Sequence, residues 1–253
     1  MQVNTLKVVI LVTVVAIWQL LSLSSLFVHQ LLPSPWETVL SIKTLSLAGL
    51  PQGYRLITHI EESLYRVLSG FSLALLVAIP LGIIMGWSKV LRELVTPLVE
   101  ILRPIPPLAW IPLAIFWFGI GLKSAVFIIF LGAFFPILLS TVSGVLSVDT
   151  LLIEAARTLG ARRRDIYVKI LIPGATPAIY TGARIGMGIA WMTLIAAEFT
   201  GVKSGYGLGY MIMVARDIQR PDHIVAGMII IGVIGYTLDI CLRGIEHTLL
   251  RWR

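Results

Sequence analysis

Charged side chains are scarce in this sequence. Only 13% of its 253 residues are Asp, Glu, Lys or Arg, whereas 57% are hydrophobic, and the mean hydropathy is +0.93. Soluble domains carry roughly 25% charged residues, because polar side chains must cover their surface. The scarcity argues against a soluble globular protein and predicts a chain whose solvent is lipid.

Cysteine and histidine are also rare. The single cysteine, Cys241, excludes an internal disulfide. The four histidines have no metal-ligand spacing, so no bound metal is expected. The sequence also lacks a G-x-x-x-x-G-K-[ST] phosphate loop and any Ser/His/Asp grouping. The chain itself is therefore not expected to bind ATP, to hold a cofactor or to catalyse a reaction.

Long apolar runs take the place of the missing charge. Four runs of about the length that crosses a bilayer contain no Asp, Glu, Lys or Arg. Two weaker runs are interrupted, one by Arg184 and Glu198 and the other by Asp239. Continuous rather than alternating apolar residues favour helices over a β-barrel. The sequence predicts an all-α membrane protein with six transmembrane helices, organised as a single domain over residues 1–253. The expected spans are 8–28, 67–87, 104–122, 124–148, 175–199 and 224–242.

Basic residues divide unevenly between the two sides of these spans. Eleven Lys and Arg lie on the side of the N-terminal tail and six on the other. The positive-inside rule therefore places both termini and the loop over residues 149–174 in the cytoplasm. Residues 29–62 are expected to form an external loop, with a short helix over 38–50. Membrane topology accounts for the net charge of +7 without a nucleic-acid partner.

The cytoplasmic loop carries its own helix signals. Asp149 is expected to cap a first helix, and Gly160 to end it in the left-handed conformation that glycine adopts without strain. A second helix over 162–172 is expected to stop at Pro173. The loop is thus predicted to form a helix-turn-helix that protrudes from the membrane, although its charge alone also suits a solvated basic loop.

Residue spacing in this loop resembles the EAA motif of permease subunits of ATP-binding cassette (ABC) importers. Gly160 lies four residues after Ala156, the second Ala of E-A-A. Ile170 lies ten residues after Gly160, and Pro173 three residues after Ile170. Stretches 103–112, 116–121 and 182–191 resemble the nitrate/sulfonate/taurine branch, and the similarity runs from about residue 32 to the end. The positions that match the motif are Glu154, Ala155, Ala156, Gly160, Ile170 and Pro173.

The resemblance implies a type I importer permease-like fold and several partners. Two permease copies would form the channel as a homodimer in the cytoplasmic (inner) membrane. The EAA segment would be a coupling helix, docked on one of two separate ATPase subunits that bind ATP and Mg. A substrate-binding protein outside the cytoplasm would deliver the cargo. That cargo is expected to be a small oxyanion, with taurine or an alkyl sulfonate favoured and nitrate or bicarbonate as alternatives.

Prolines and charges within the apolar runs mark the expected translocation path. Four prolines within nine residues disfavour a regular helix in the third span, which predicts either a broken helix lining a path or a simple kink. Arg184 either lines the route of an anion or pairs with Glu198 or Asp239, which are expected near the membrane interface. The candidate path residues are Arg103, Pro104, Pro106, Pro107, Arg184, Glu198 and Asp239.

Paired glycines indicate close helix packing. Gly82 and Gly86, like Gly182 and Gly186, have the G-x-x-x-G spacing that lets two helices approach. The pattern has low specificity. Packing within the chain is the favoured interpretation, ahead of a dimer seam.

A secondary transporter or channel complete in itself is the alternative from another functional class. Such a protein would be expected to contain inverted repeats. The sequence has neither an evident repeat nor a dense set of intramembrane carboxylates. A membrane enzyme is a more distant alternative, because no catalytic grouping is present.

Overall fold

The computed structural model describes residues 2–24, 32–199 and 205–249. These described residues form helices and no strand, which confirms the prediction of an all-α membrane protein. Four long apolar helices suit a bilayer crossing, and they span Leu56–Trp87, Leu122–Leu146, Arg163–Phe199 and Pro221–Glu246. The α-helices are α1 (Gln2–Leu23), α2 (Pro35–Leu47), α3 (Leu56–Trp87), α4 (Lys89–Leu102), α5 (Ile111–Phe118), α6 (Leu122–Leu146), α7 (Thr150–Thr158), α8 (Arg163–Ile166), α9 (Ile172–Phe199), α10 (Leu208–Asp217) and α11 (Pro221–Leu249).

A bent pair of helices gives a further apolar segment of the length of a crossing, with the geometry of a broken span or of a re-entrant loop. Helix α4 and the segment Pro107–Phe118, a 3₁₀ turn followed by α5, meet at an angle of 83°. The predicted span over 104–122 covers the second helix of this pair and leaves out α4, because charged residues interrupt the apolar sequence of α4. Helix α4 is amphipathic, so a search for charge-free runs does not detect it.

The first span and the external helix differ in detail from expectation. The predicted span over 8–28 runs beyond the described residues, within which its apolar part is Val12–Leu23. Helix α2 begins earlier than predicted because Ser34 and Glu37 form a capping box. The Ser34 Oγ accepts from the Glu37 N–H, and the Glu37 carboxylate accepts from the Ser34 N–H at 2.7 Å.

The chain folds as two compact units. The first comprises the described parts of residues 1–63 and 205–234, and the second those of 64–204 and 235–253. In the first unit, Asp222 at the start of α11 accepts a 2.6 Å hydrogen bond from Ser41 on α2. Its carboxylate also pairs with Arg220 at 2.7 Å and contacts His223 at 3.0 Å. These contacts hold α2 against the start of α11.

The second unit is built around α6 and α9, which pack closely along a line of small residues. Gly182 lies against Ser140, and Gly186 against Ile137. Gly82 and Gly86 of α3 pack on α6 in the same way. Both G-x-x-x-G pairs therefore make helix contacts within the chain, as the sequence favoured.

Candidate functional site

The E-A-A segment lies on a short exposed helix, α7. Asp149 caps this helix, since its carboxylate accepts from the Leu151 N–H at 2.8 Å. Gly160 follows the helix with φ of +79°, so the predicted left-handed turn is confirmed. Glu154 and Ala155 are exposed, and Ala156 is half-buried. The helix therefore presents small side chains on its surface.

Three leucines add an apolar surface to the same helix and its turn. Leu151, Leu152 and Leu159 are 69%, 57% and 87% exposed. Large apolar side chains grouped on an exposed helix mark a contact surface for another protein or for lipid. This surface, consisting of the three leucines with Ala155 and Ala156, is called the hairpin face below.

The second half of the hairpin contradicts one prediction. Pro173 does not end a helix, because α8 continues through a π-helical turn over Tyr167–Leu171 into α9. The wider turn contains Ile170 and lets the chain pass the proline without stopping, since the Ile172 N–H bonds to the Tyr167 carbonyl oxygen. The hairpin is thus continuous with the long membrane helix α9.

Contacts with α3 fix the base of the hairpin. The Arg163 guanidinium lies over the Trp87 ring at 5.8 Å, and Tyr167 packs edge-on to the same ring at 5.7 Å. Leu171 is buried in a cluster with Ile83 and other apolar residues. Movement of the hairpin would therefore be transmitted directly to α3 and α9.

The proline-rich segment forms the bend between α4 and α5. Arg103 follows the last residue of α4, Pro106 precedes the 3₁₀ turn, and Pro107 begins it. Arg103, Pro104 and Pro106 are exposed. Four prolines in this stretch remove backbone donors, which explains why the helix breaks here.

A cavity of about 420 Å³ lies beside this bend. Arg103, Pro107 and Trp110 form one wall, and residues from α6 and α9 form the others. Of the predicted path residues, Arg103 and Pro107 line this cavity. The sequence analysis did not identify the other lining residues, such as Phe135. They face the cavity because of how α6 and α9 are rotated about their axes, and no local sequence signal specifies that rotation.

Arg184 has an acidic partner, Asp239. The Arg184 Nε lies 2.6 Å from the Asp239 carboxylate, and Arg243 donates to the same carboxylate at 2.7 Å. Of the two acidic partners left open by the sequence, Asp239 is the one observed. Arg184 and Asp239 border a smaller cavity of about 140 Å³, distinct from the cavity at Arg103.

Glu198 is buried inside the folded chain, one residue before the end of α9, and its expected position near the membrane interface stays a prediction. Its carboxylate is fully buried and accepts from Arg66 of α3 at 2.7 Å. A buried charge near the end of a span requires a partner, and Arg66 supplies it. Because 132 residues separate the two positions, no local signal in the sequence identified this pair.

Comparison with known proteins places this chain in a family. Residues 78–251 match the profile of the binding-protein-dependent transport system inner membrane component. The chain belongs to this family. A protein of Methanocaldococcus jannaschii named as an ABC transporter permease is 48% identical, with 100% of this chain and 95% of that protein covered.

Two further relatives connect this permease to the nitrate/sulfonate/taurine branch. The taurine transport system permease protein of Escherichia coli is 38% identical over 98% of this chain and 90% of its own length. The bicarbonate transport system permease protein of Synechococcus elongatus is 34% identical over 93% of this chain and 85% of its own length. The predicted ABC importer permease resemblance is confirmed.

A solved structure shares the fold. The MetNI methionine ABC transporter, in an inward-facing conformation, aligns with a TM-score of 0.68 at 22% identity, covering 77% of this permease and 95% of that chain. The protein is a multi-pass inner membrane protein, and members of its family are permease subunits that are generally non-catalytic.

Proposed function

We propose that this permease is the pore subunit of an ATP-driven importer that carries a small oxyanion into the cytoplasm. Two copies form the channel in membrane lipid, and two separate ATPase subunits bind ATP and Mg. A substrate-binding protein delivers the cargo from outside the cytoplasm. The N- and C-termini lie in the cytoplasm, and nucleic acid has no part in the assembly.

The hairpin face is the observation that carries this proposal. Its leucines are more than half exposed on a helix that emerges from a membrane domain, so they support docking on a soluble partner. The continuous path from α8 into α9 gives such docking a mechanical connection to the membrane helices. An ATPase subunit on this face is the partner that the family supplies.

The favoured cargo is taurine or an alkyl sulfonate. The taurine permease of E. coli is more similar to this chain than the bicarbonate permease of S. elongatus. Nitrate and bicarbonate remain the alternatives with the same architecture. All of these compounds carry a small anionic head group, which agrees with the guanidinium of Arg103 in the larger cavity, for which the described residues provide no acidic partner.

Two substitutions in the hairpin test the coupling role. Gly160→Val places a β-branched side chain at φ of +79°, which strains the turn, and Ala156→Trp obstructs the hairpin face. Both variants should insert normally but lose ATPase subunits on copurification and lose uptake. Gly160→Asn is the matched control, because Asn tolerates the left-handed conformation and should retain both. Normal uptake by both variants would refute docking at this face.

Reconstitution tests ATP dependence against the alternative class of transporter. Proteoliposomes are prepared with the permease and its ATPase subunits and are supplied with loaded binding protein. They should accumulate radiolabelled alkyl sulfonate only when ATP is present on the side of the membrane that carries the ATPase subunits. The permease alone should give no uptake. Uptake by the permease alone, driven by an ion gradient, would instead identify a secondary transporter.

A further inference from the structure

The larger cavity is lined by residues from the middle of two long apolar helices, α6 and α9. Its walls include residues 131–140 of α6, the middle of a 25-residue helix, and Ile185 and Ile189, near the middle of α9. Bilayer-spanning helices place such residues near the midplane, where many transporters hold their cargo. The cavity is therefore at the depth that a passing substrate must cross.

Of the described residues that line this cavity, only Arg103 is charged. Among the described residues, its guanidinium makes no hydrogen bond or ion pair, and none of the residues lining the cavity is acidic. An unpaired cation at this depth is costly unless it faces water or an anion. The guanidinium fork matches the paired oxygens of a sulfonate or carboxylate head group.

Apolar side chains form most of the remaining wall. Trp110, Phe135, Ile185 and Ile189 surround the space, and Ser140 adds one hydroxyl. A bare inorganic oxyanion next to Arg103 would leave much of the cavity of about 420 Å³ as water against these apolar walls. A carbon chain on the anion would displace that water, and each buried methylene improves binding by about four-fold.

We propose that this cavity is a selective substrate site of the permease, which favours an organic anion with an apolar chain. The anionic head lies at Arg103, and the chain lies against Trp110, Ile185 and Ile189. Unsubstituted alkyl sulfonates therefore pass in preference to taurine, whose ammonium group meets no carboxylate in this cavity, and to nitrate or bicarbonate. This proposal rests on the proposed function and narrows its substrate class.

Substrate profiles of the assembled transporter test the site. Proteoliposomes with the ATPase subunits are supplied with binding protein saturated by ethanesulfonate, pentanesulfonate or taurine, so that differences in initial uptake arise after delivery. Wild type should transport pentanesulfonate at least several-fold faster than taurine. Arg103→Gln should lower sulfonate uptake at least ten-fold, with partial uptake in Arg103→Lys. Lys89→Gln, an exposed position on the same helix, is the matched control and should transport normally.

Changes in the wall test the chain contact separately from the charge. Ile189→Trp should fill the cavity and lower pentanesulfonate uptake while sparing ethanesulfonate, whereas Ile185→Ala should shift the preference toward longer chains. An unchanged chain-length profile in the correctly assembled Ile185→Ala variant, or faster uptake of taurine than of pentanesulfonate by wild type, would overturn the site.

Lipid binding at the cavity gives a different result. If an anionic phospholipid occupies it, Arg103→Gln should lose copurifying phospholipid by mass spectrometry while the substrate profile stays unchanged, which would overturn the proposal. Failure of the proposed importer function gives another result. In that case the wild-type transporter would take up none of the three substrates, even with ATP and saturated binding protein.

Discussion

Two arginines, Arg184 and Arg243, pair with the same carboxylate, that of Asp239. Loss of the carboxylate should therefore destabilise the protein more than loss of either arginine. Arg184 and Arg243 both donate to the Asp239 carboxylate, at 2.6 Å and 2.7 Å. Removing Arg184 leaves Asp239 paired with Arg243. Removing Asp239 leaves two neighbouring cations without their common partner. The carboxylate is thus the central member of this group.

Asp239→Asn should therefore lower the melting temperature of the detergent-solubilised protein more than Arg184→Gln does. Arg184→Lys should fall between wild type and Arg184→Gln, because it keeps the charge without the guanidinium fork. Fluorescence-detected thermal unfolding measures the order. A larger loss in Arg184→Gln than in Asp239→Asn would contradict this order, whereas abolished uptake in Arg184→Gln with stability and assembly intact would favour direct contact of Arg184 with substrate.

Glu198 and Arg66 form a buried pair, so truncation of Glu198 removes a charge partner from a buried guanidinium. Glu198→Ala should destabilise the protein by about 3–5 kcal/mol, seen as poor recovery of monodisperse protein. The double variant Arg66→Met/Glu198→Met removes both charges and should recover part of the loss. Asp217→Ala, which breaks the exposed Arg216–Asp217 pair, is the control and should have little effect. Equal effects of Glu198→Ala and Asp217→Ala would contradict the burial.

At the scale of elements, the close packing of α6 against α9 depends on glycine at specific turns. A Cβ at Gly182 would overlap the Ser140 side chain, whereas a Cβ at Gly188 would meet nothing within 4 Å. These two glycines of the same helix therefore form a matched pair. The first is required by packing, and the second is not.

Gly182→Ala should destabilise the protein by about 1–3 kcal/mol, because the added methyl group overpacks the interface. Gly188→Ala should be neutral or slightly stabilising, since Ala is the better helix former. Thermal unfolding of the two variants in the same detergent compares them. Identical melting temperatures of the two variants would contradict the prediction, because they would show that the contact between α6 and α9 accommodates the added methyl group without cost.

Local rules explain part of the hairpin and fail at its second half. The cap at Asp149 and the turn at Gly160 depend on neighbouring residues, and both were predictable. Pro173 was expected to end a helix by the same kind of rule. Burial of Leu171 against Ile83 and Val145 instead favours a continuous helix, which passes the proline by a π-helical turn. Tertiary packing outweighed the local signal.

At the scale of the whole molecule, topology is the remaining prediction. Single cysteines at Arg164 and Lys43, in a Cys241→Ser background, should react oppositely with a membrane-impermeant maleimide applied to intact cells. Both positions and Cys241 are exposed, so lack of labelling would not result from burial within the chain. Position 43 should label and position 164 should not. Labelling at 164 in sealed cells would reverse the assigned orientation.

The sequence by itself determined the helical class, the membrane environment, most of the long apolar helices, and the cap and turn of the E-A-A helix. These depend on composition, on apolar run length and on caps and turns within a few residues, all of which are local. Only the tertiary structure decided which acid pairs with Arg184, that Glu198 is buried with Arg66, and that a cavity lies beside Arg103. Those contacts join residues far apart in the chain. They depend on the rotation and register of packed helices, which a single sequence does not specify.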